Sequence, residues 1–234
     1  MKKNILFTGA FAFILSTLLL TGCKKDDTTS PVVTPNGTSP MTVTLNGTFT
    51  DPGATGNDDE DGAITSVSSD ASSTNPNVNL TGTYTVTYSA TDAAGNTGSA
   101  TLTVIVKNSA DYLAGTYLTS EDGFVTSWTQ TVTASTTVNN RIVFSRFADY
   151  SNNNAIYATV TGAEVALPTS QVATGIGLSG CTHTFTPSGT PTVPVALVSG
   201  KYNFSVKFTD EQDLGGVGCA ATSPVLYEDV FHQQ

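Results

Sequence analysis

Alternation with a period of two residues is the feature that most limits what this chain can become. In Thr83-Tyr84-Thr85-Val86-Thr87-Tyr88 the side chains of Tyr84, Val86 and Tyr88 fall on one face and the threonines on the other. Lys201 to Thr209 repeats the pattern, with Tyr202, Phe204, Val206 and Phe208 set against Lys201, Asn203, Ser205 and Lys207. Successive side chains of a strand point to opposite faces of a sheet, so each run has one face to bury. No apolar set at helical spacing runs for a useful length. The chain is expected to be all-β.

Turn signals divide the strands into two groups. Thr42–Leu45, Thr83–Tyr88 and Thr101–Val106 are strands of the first, with Asp51-Pro52-Gly53 and Asp92-Ala93-Ala94-Gly95-Asn96 as turns. Short strands at this spacing indicate a small β-sandwich over 41–107. Asn108-Ser109-Ala110-Asp111 is a polar junction. Beyond it, 108–234 carries strand candidates at Gly115–Thr119, Val125–Ala134, Arg141–Phe147, Ile156–Thr161, Glu164–Leu167, Thr182–Thr186 and Lys201–Thr209. These predict a second β-sandwich or an open β-barrel domain.

The amino terminus gives an address. Met1-Lys2-Lys3-Asn4 is a basic start, and Ile5 to Leu20 is apolar but too short to span a bilayer, so 1–22 reads as a signal peptide. Leu20-Thr21-Gly22-Cys23 resembles the lipobox of bacterial lipoproteins. The resemblance implies cleavage before Cys23 and acylation of that residue, with the membrane as partner. Each buried CH₂ of an acyl chain contributes about 0.8 kcal/mol, so several chains anchor stably. Lys24-Lys25-Asp26-Asp27 is similar to the signal that sends Bacteroidota lipoproteins to the outer face of the outer membrane. From Cys23 to Pro40 the chain is polar and carries Pro31, Pro35 and Pro40, so 23–40 is expected to be a disordered tether.

Four motifs carry a further resemblance. Asp51-Pro52-Gly53-Ala54, Asp59-Glu60-Asp61-Gly62-Ala63-Ile64-Thr65, Gly82–Tyr88 and Asp92–Asn96 resemble, in order and spacing, the bacterial Ig-like domain of Bacteroidota surface lipoproteins and some pesticidal crystal proteins. The resemblance covers about Met41 to Val106 and implies adhesion or presentation rather than chemistry. Ala114-Gly115-Thr116-Tyr117 and Cys219-Ala220-Ala221-Thr222 are similar to carboxy-terminal domains of other Bacteroidota lipoproteins, which are mostly of unknown function.

The formal net charge of −10 repels nucleic acid and anionic lipid headgroups, so neither is an expected partner. There are 3 cysteines. With Cys23 acylated, Cys181 and Cys219 remain as an even pair in an oxidising compartment, which predicts a disulfide. His183 beside Cys181 suggests a metal site instead, but nothing nearby in sequence completes a ligand set.

Two clusters are candidates for binding. Asp59 and Asp61 in the acidic run Asn57–Gly62, with Asp92 or Asp51, offer an oxygen shell suited to calcium; the same run also reads as a solvated turn. Trp128 and Tyr150 are candidate stacking platforms for a polysaccharide, with Tyr112, Tyr117 and Tyr157 also present. Trp128 reads more readily as a core residue, which single tryptophans usually are. The chain has 2 histidines and lacks a nucleophile elbow, a metalloprotease helix and a phosphate loop, so an enzyme is not expected.

The expected function is therefore that of an outer-membrane lipoprotein binding a glycan or a surface protein. In layout it resembles the SusE-type starch-binding lipoproteins. A structural accessory subunit of an outer-membrane complex is the alternative, and a carboxylate-pair glycosidase a third.

Overall fold

A computed structural model describes residues 26–121, 125–148, 150–151, 156–176, 181–191, 193–213 and 222–234. The signal peptide, Cys23 and Cys219 lie outside the described residues. Among the described residues no helix is long and apolar enough to cross a membrane.

In chain order the first strands are β1 (Val32–Pro35), β2 (Met41–Thr44), β3 (Ala54–Asp58), β4 (Gly62–Ile64), β5 (Val67–Ser69), β6 (Gly82–Thr91) and β7 (Thr97–Lys107). A 3-10 turn follows at Asp111–Leu113. Then come β8 (Gly115–Glu121), β9 (Ser127–Ala134), β10 (Arg141–Phe144), β11 (Arg146–Phe147), β12 (Tyr150–Ser151), β13 (Tyr157–Thr161) and β14 (Glu164–Ala166). The last are β15 (Gln171–Ile176), β16 (Cys181–Pro187), β17 (Ala196–Val198), β18 (Lys201–Asp213) and β19 (Val225–Gln233). The all-β class expected from alternation is what the chain adopts.

Two compact units divide the chain. The first holds the residues up to Asn36, Gly53–Ser69 and Tyr88–Ala100; the second holds Gly37–Pro52, Asp70–Thr87 and Thr101–Gln234.

In the first unit β3 is flanked by β1 and β4, both antiparallel to it, with Val33 opposite Gly56 and Asn57 opposite Ala63. This corrects the expectation of a disordered tether up to Pro40. The Val32-Val33 pair supplies the alternation a short strand needs, Val33 is buried, and prolines are tolerated on an edge strand. The segment before β1 is equally held: a Cβ on Gly98 would lie 1.8 Å from the Pro31 carbonyl oxygen.

In the second unit β2 runs parallel to β7, with Met41 opposite Val104 and Val43 opposite Val106. Val43, Leu102, Val104 and Val106 are buried, as their period-two spacing requires. From β8 onward, all strands but β11 and β12, which pair with each other, form one ten-stranded sheet ordered β14-β13-β10-β9-β8-β19-β18-β16-β15, with β17 on β18. Val160, Ile142, Val132, Tyr117, Phe231, Phe204, Phe208 and Phe185 come from strands along the whole of that order, yet pack in one cluster. The sheet therefore curls around its own inner face, in keeping with an open barrel. Phe204 stacks on Phe231 at 4.5 Å, and Tyr117 meets Phe204 edge-on at 5.3 Å. Such ring pairs add about 0.5–1.5 kcal/mol each beyond area burial.

Candidate functional site

The inner face of the curled sheet changes character along its strands. On β8 the inward residues run Tyr117, Thr119, Glu121; on β9 they run Val132, Gln130, Trp128. On β19 the sequence is Phe231, Asp229, Tyr227, and on β18 it is Phe204, Val206, Phe208, Asp210. The register aligns these series: Thr119 lies opposite Trp128, Glu121 opposite Asp229, and Tyr227 opposite Phe208. One end of the interior is thus aromatic and dry, while the other collects Glu121, Asp210, Asp229, Tyr227, Trp128 and His183.

The polar end is internally wired. His183 Nδ1 is 3.0 Å from both carboxylate oxygens of Asp210, and both residues are buried. Against an ionised carboxylate, which only accepts, Nδ1 is the donor of this pair. Gln130 Nε2 donates to Thr119 Oγ1 at 2.9 Å, and the Ala148 N–H donates to Asp229 Oδ2 at 3.2 Å. Burial raises the Tyr227 phenol above its ordinary pKa, and the negative charges of Glu121 and Asp210 raise it further. The phenol therefore stays a neutral donor beside two carboxylates. Together they offer donors and acceptors next to aromatic rings, the chemistry that holds a hydroxyl-rich ligand.

The predicted platforms fare differently. Trp128 is 5% exposed, because its alternation with Gln130 and Val132 turns it inward rather than onto an open surface. Its Nε1 has no hydrogen-bond partner among the described residues. Tyr150 lies in β12 opposite Phe147, and its side chain lies outside the described residues. Cys181 is buried at the start of β16. Sequence reasoning missed Glu121, Asp210 and Tyr227. The alternation Tyr227-x-Asp229-x-Phe231 was the available signal, masked by two acids in the run.

The acidic turn is also rearranged. Asp92 meets Asp58 and Asp27, one carboxylate oxygen of each lying within 4.8 Å of the others. Asp59 and Asp61 are outside this group, which corrects the predicted set. Asp59 is exposed, and Asp61 Oδ2 instead accepts the Ala93 N–H at 2.7 Å. Desolvation pushes the Asp92 carboxyl up, but hydrogen bonds from the Asn96 side chain and the N–H groups of Asn96, Gly95 and Ala94 outweigh it. They hold Asp92 below the usual carboxylate value.

Residues 33–106 match the family model described as the bacterial surface protein, Ig-like domain. The match starts inside the segment expected to be a tether and otherwise coincides with the motifs quoted above. Among solved structures, a lipoprotein from Bacteroides thetaiotaomicron is 12% identical, with 87% of this chain and 100% of that chain covered at a TM-score of 0.29. A Clostridium perfringens structure of an M60 catalytic domain with two CBM51 domains is 17% identical, with 87% of this chain and 21% of that chain covered at a TM-score of 0.25. Both are remote, and neither transfers a site. No curated protein matches the chain.

Proposed function

We propose that this protein is a non-catalytic binding lipoprotein of the bacterial surface. Cys23 carries the acyl anchor in the outer membrane, the Ig-like domain presents the carboxy-terminal sheet, and the polar end of that sheet takes a glycan. A disulfide between Cys181 and Cys219 restrains the chain between β16 and β19. The match of 33–106 to a bacterial surface protein domain supports the surface address.

The observation that carries the glycan reading is the register that gathers Tyr227, Asp229 and Glu121, with Asp210 of β18, at one end of the inner face. Carboxylates and a phenol pair with sugar hydroxyls, whereas an open apolar face would suit a protein partner better.

Native affinity electrophoresis of the full-length protein in detergent, through gels containing a panel of bacterial and plant polysaccharides, tests this. Retardation by at least one neutral glycan without its depolymerisation is expected. Uniform mobility in every gel would overturn the glycan reading and turn the search to protein partners in the native membrane. Reducing ends released from a retarding glycan would overturn the non-catalytic one.

A further inference from the structure

Three carboxylates in one place are not a site by themselves; what distinguishes this group is the state of Asp58. It is 3% exposed, and its Oδ1 accepts the N–H groups of Glu60 at 2.9 Å and Asp61 at 3.0 Å. Its Oδ2 is buried and has no hydrogen-bond partner among the described residues. That oxygen is what Asp58 has left to offer the group it forms with Asp27 and Asp92. An orphaned buried carboxylate oxygen is costly, more so with two further carboxylates beside it. Among the described residues no lysine or arginine pairs with any of the three.

The missing partner is a cation, and the geometry says which kind. All three donors are hard oxygens. Ca²⁺ takes such ligands at about 2.3–2.6 Å, so oxygens sharing one ion lie no more than about 5 Å apart. The 4.8 Å limit on this group meets that condition. The carboxylates come from three separate stretches: the segment before β1, the last residue of β3 where its turn begins, and the turn after β6. Such a scattered, loop-borne set suits the irregular shell of Ca²⁺ better than the strict octahedron of Mg²⁺. The stretches are already braced in place. Asn96 Nδ2 donates to the Asp27 carbonyl at 3.2 Å and to Asp92 Oδ2 at 2.9 Å, and Asp61 ties its turn to Ala93.

We propose that Asp27, Asp58 and Asp92 form a Ca²⁺ site that fastens the segment ahead of β1 to the two turns of the first unit. The site goes beyond the binding function, because it holds whatever the carboxy-terminal sheet binds. Its effect is to stiffen the first unit where the chain arrives from Cys23. The affinity expected of an extracellular module is about 10⁻⁴–10⁻³ M.

The test is calcium titration of the chelator-treated full-length protein by calorimetry, with thermal unfolding followed in parallel. One saturable site is expected, together with a rise of several degrees in Tm at about 10 mM CaCl₂. Asp27→Asn should abolish both responses. It should still fold, because an amide oxygen can keep accepting the Thr29 N–H now bonded to Asp27 Oδ1. Asp59→Asn, outside the group, should respond like the wild type. Absence of heat and of a Tm shift would overturn the site, as would an undiminished response in Asp27→Asn. An equal response to Mg²⁺ would overturn the calcium assignment.

Discussion

The side-chain oxygen of Asn108 accepts the N–H of Asn140 at 2.9 Å, which joins the junction after β7 to the turn before β10. Asn108 is 2% exposed, and its amide also donates to the carbonyls of Ser135 at 2.7 Å and Val138 at 2.9 Å. What reads in sequence as a polar connector is a buried pin. Asn108→Ala would leave several buried backbone groups without their partner, and should cost about 2–3 kcal/mol by urea unfolding. An exposed asparagine such as Asn79 replaced by alanine should cost little. Equal small effects would refute the pin.

Gly98 tests the ordering of the segment before β1. Its missing Cβ is what allows the Pro31 carbonyl to approach. Gly98→Ala forces that backbone away and should destabilise the first unit by roughly 1–3 kcal/mol. Limited proteolysis should then cut between residues 26 and 36 well before it cuts the wild type. Unchanged proteolysis would mean that this segment does not pack against β7.

Tyr117 gives a prediction in pH. Its hydroxyl donates to the Leu113 carbonyl at 2.9 Å, and burial, reinforced by Tyr112 and Tyr202, raises its pKa far above the ordinary value. The unfolded chain ionises this phenol near pH 10 while the folded chain keeps it protonated. The folded state then binds the extra proton, so its stability is full below about pH 10 and falls as pH rises beyond it. Tyr117→Phe should cost about 1 kcal/mol at neutral pH and flatten the alkaline fall. An alkaline limb as steep as the wild type's would exclude Tyr117 as its source.

The His183–Asp210 pair should behave as a structural element. His183→Ala takes a 3.0 Å partner from a buried carboxylate and should cost roughly 3 kcal/mol by chemical denaturation. A near-zero cost would show that solvent already reaches Asp210.

Much of the fold was legible in the sequence, because period-two alternation maps directly onto buried faces. Val86 and Tyr88 of β6, and Phe204, Val206 and Phe208 of β18, are buried as their spacing required. What was illegible fails for identifiable reasons. β1 is four residues long and closed by a proline, so composition spoke for a tether while pairing with β3 made a strand. β19 carries Glu228 and Asp229 in mid-run, and both are buried by tertiary structure that local polarity cannot announce. Glu228 survives there by accepting the Ser205 hydroxyl. The acidic turn was visible as a cluster, but which acids converge depends on Asp27 being brought to it. The polar end of the curled sheet is assembled from five strands, β8, β9, β16, β18 and β19, and only the register unites them.

The most direct test of the binding account is affinity electrophoresis of the wild type beside Glu121→Gln/Tyr227→Phe, in a gel containing the glycan that retards the wild type most. The account predicts that the double variant loses at least about tenfold in affinity, the equivalent of 1.4 kcal/mol, while its Tm stays close to that of the wild type. Equal retardation of both proteins would contradict it, and would place the glycan elsewhere on the chain.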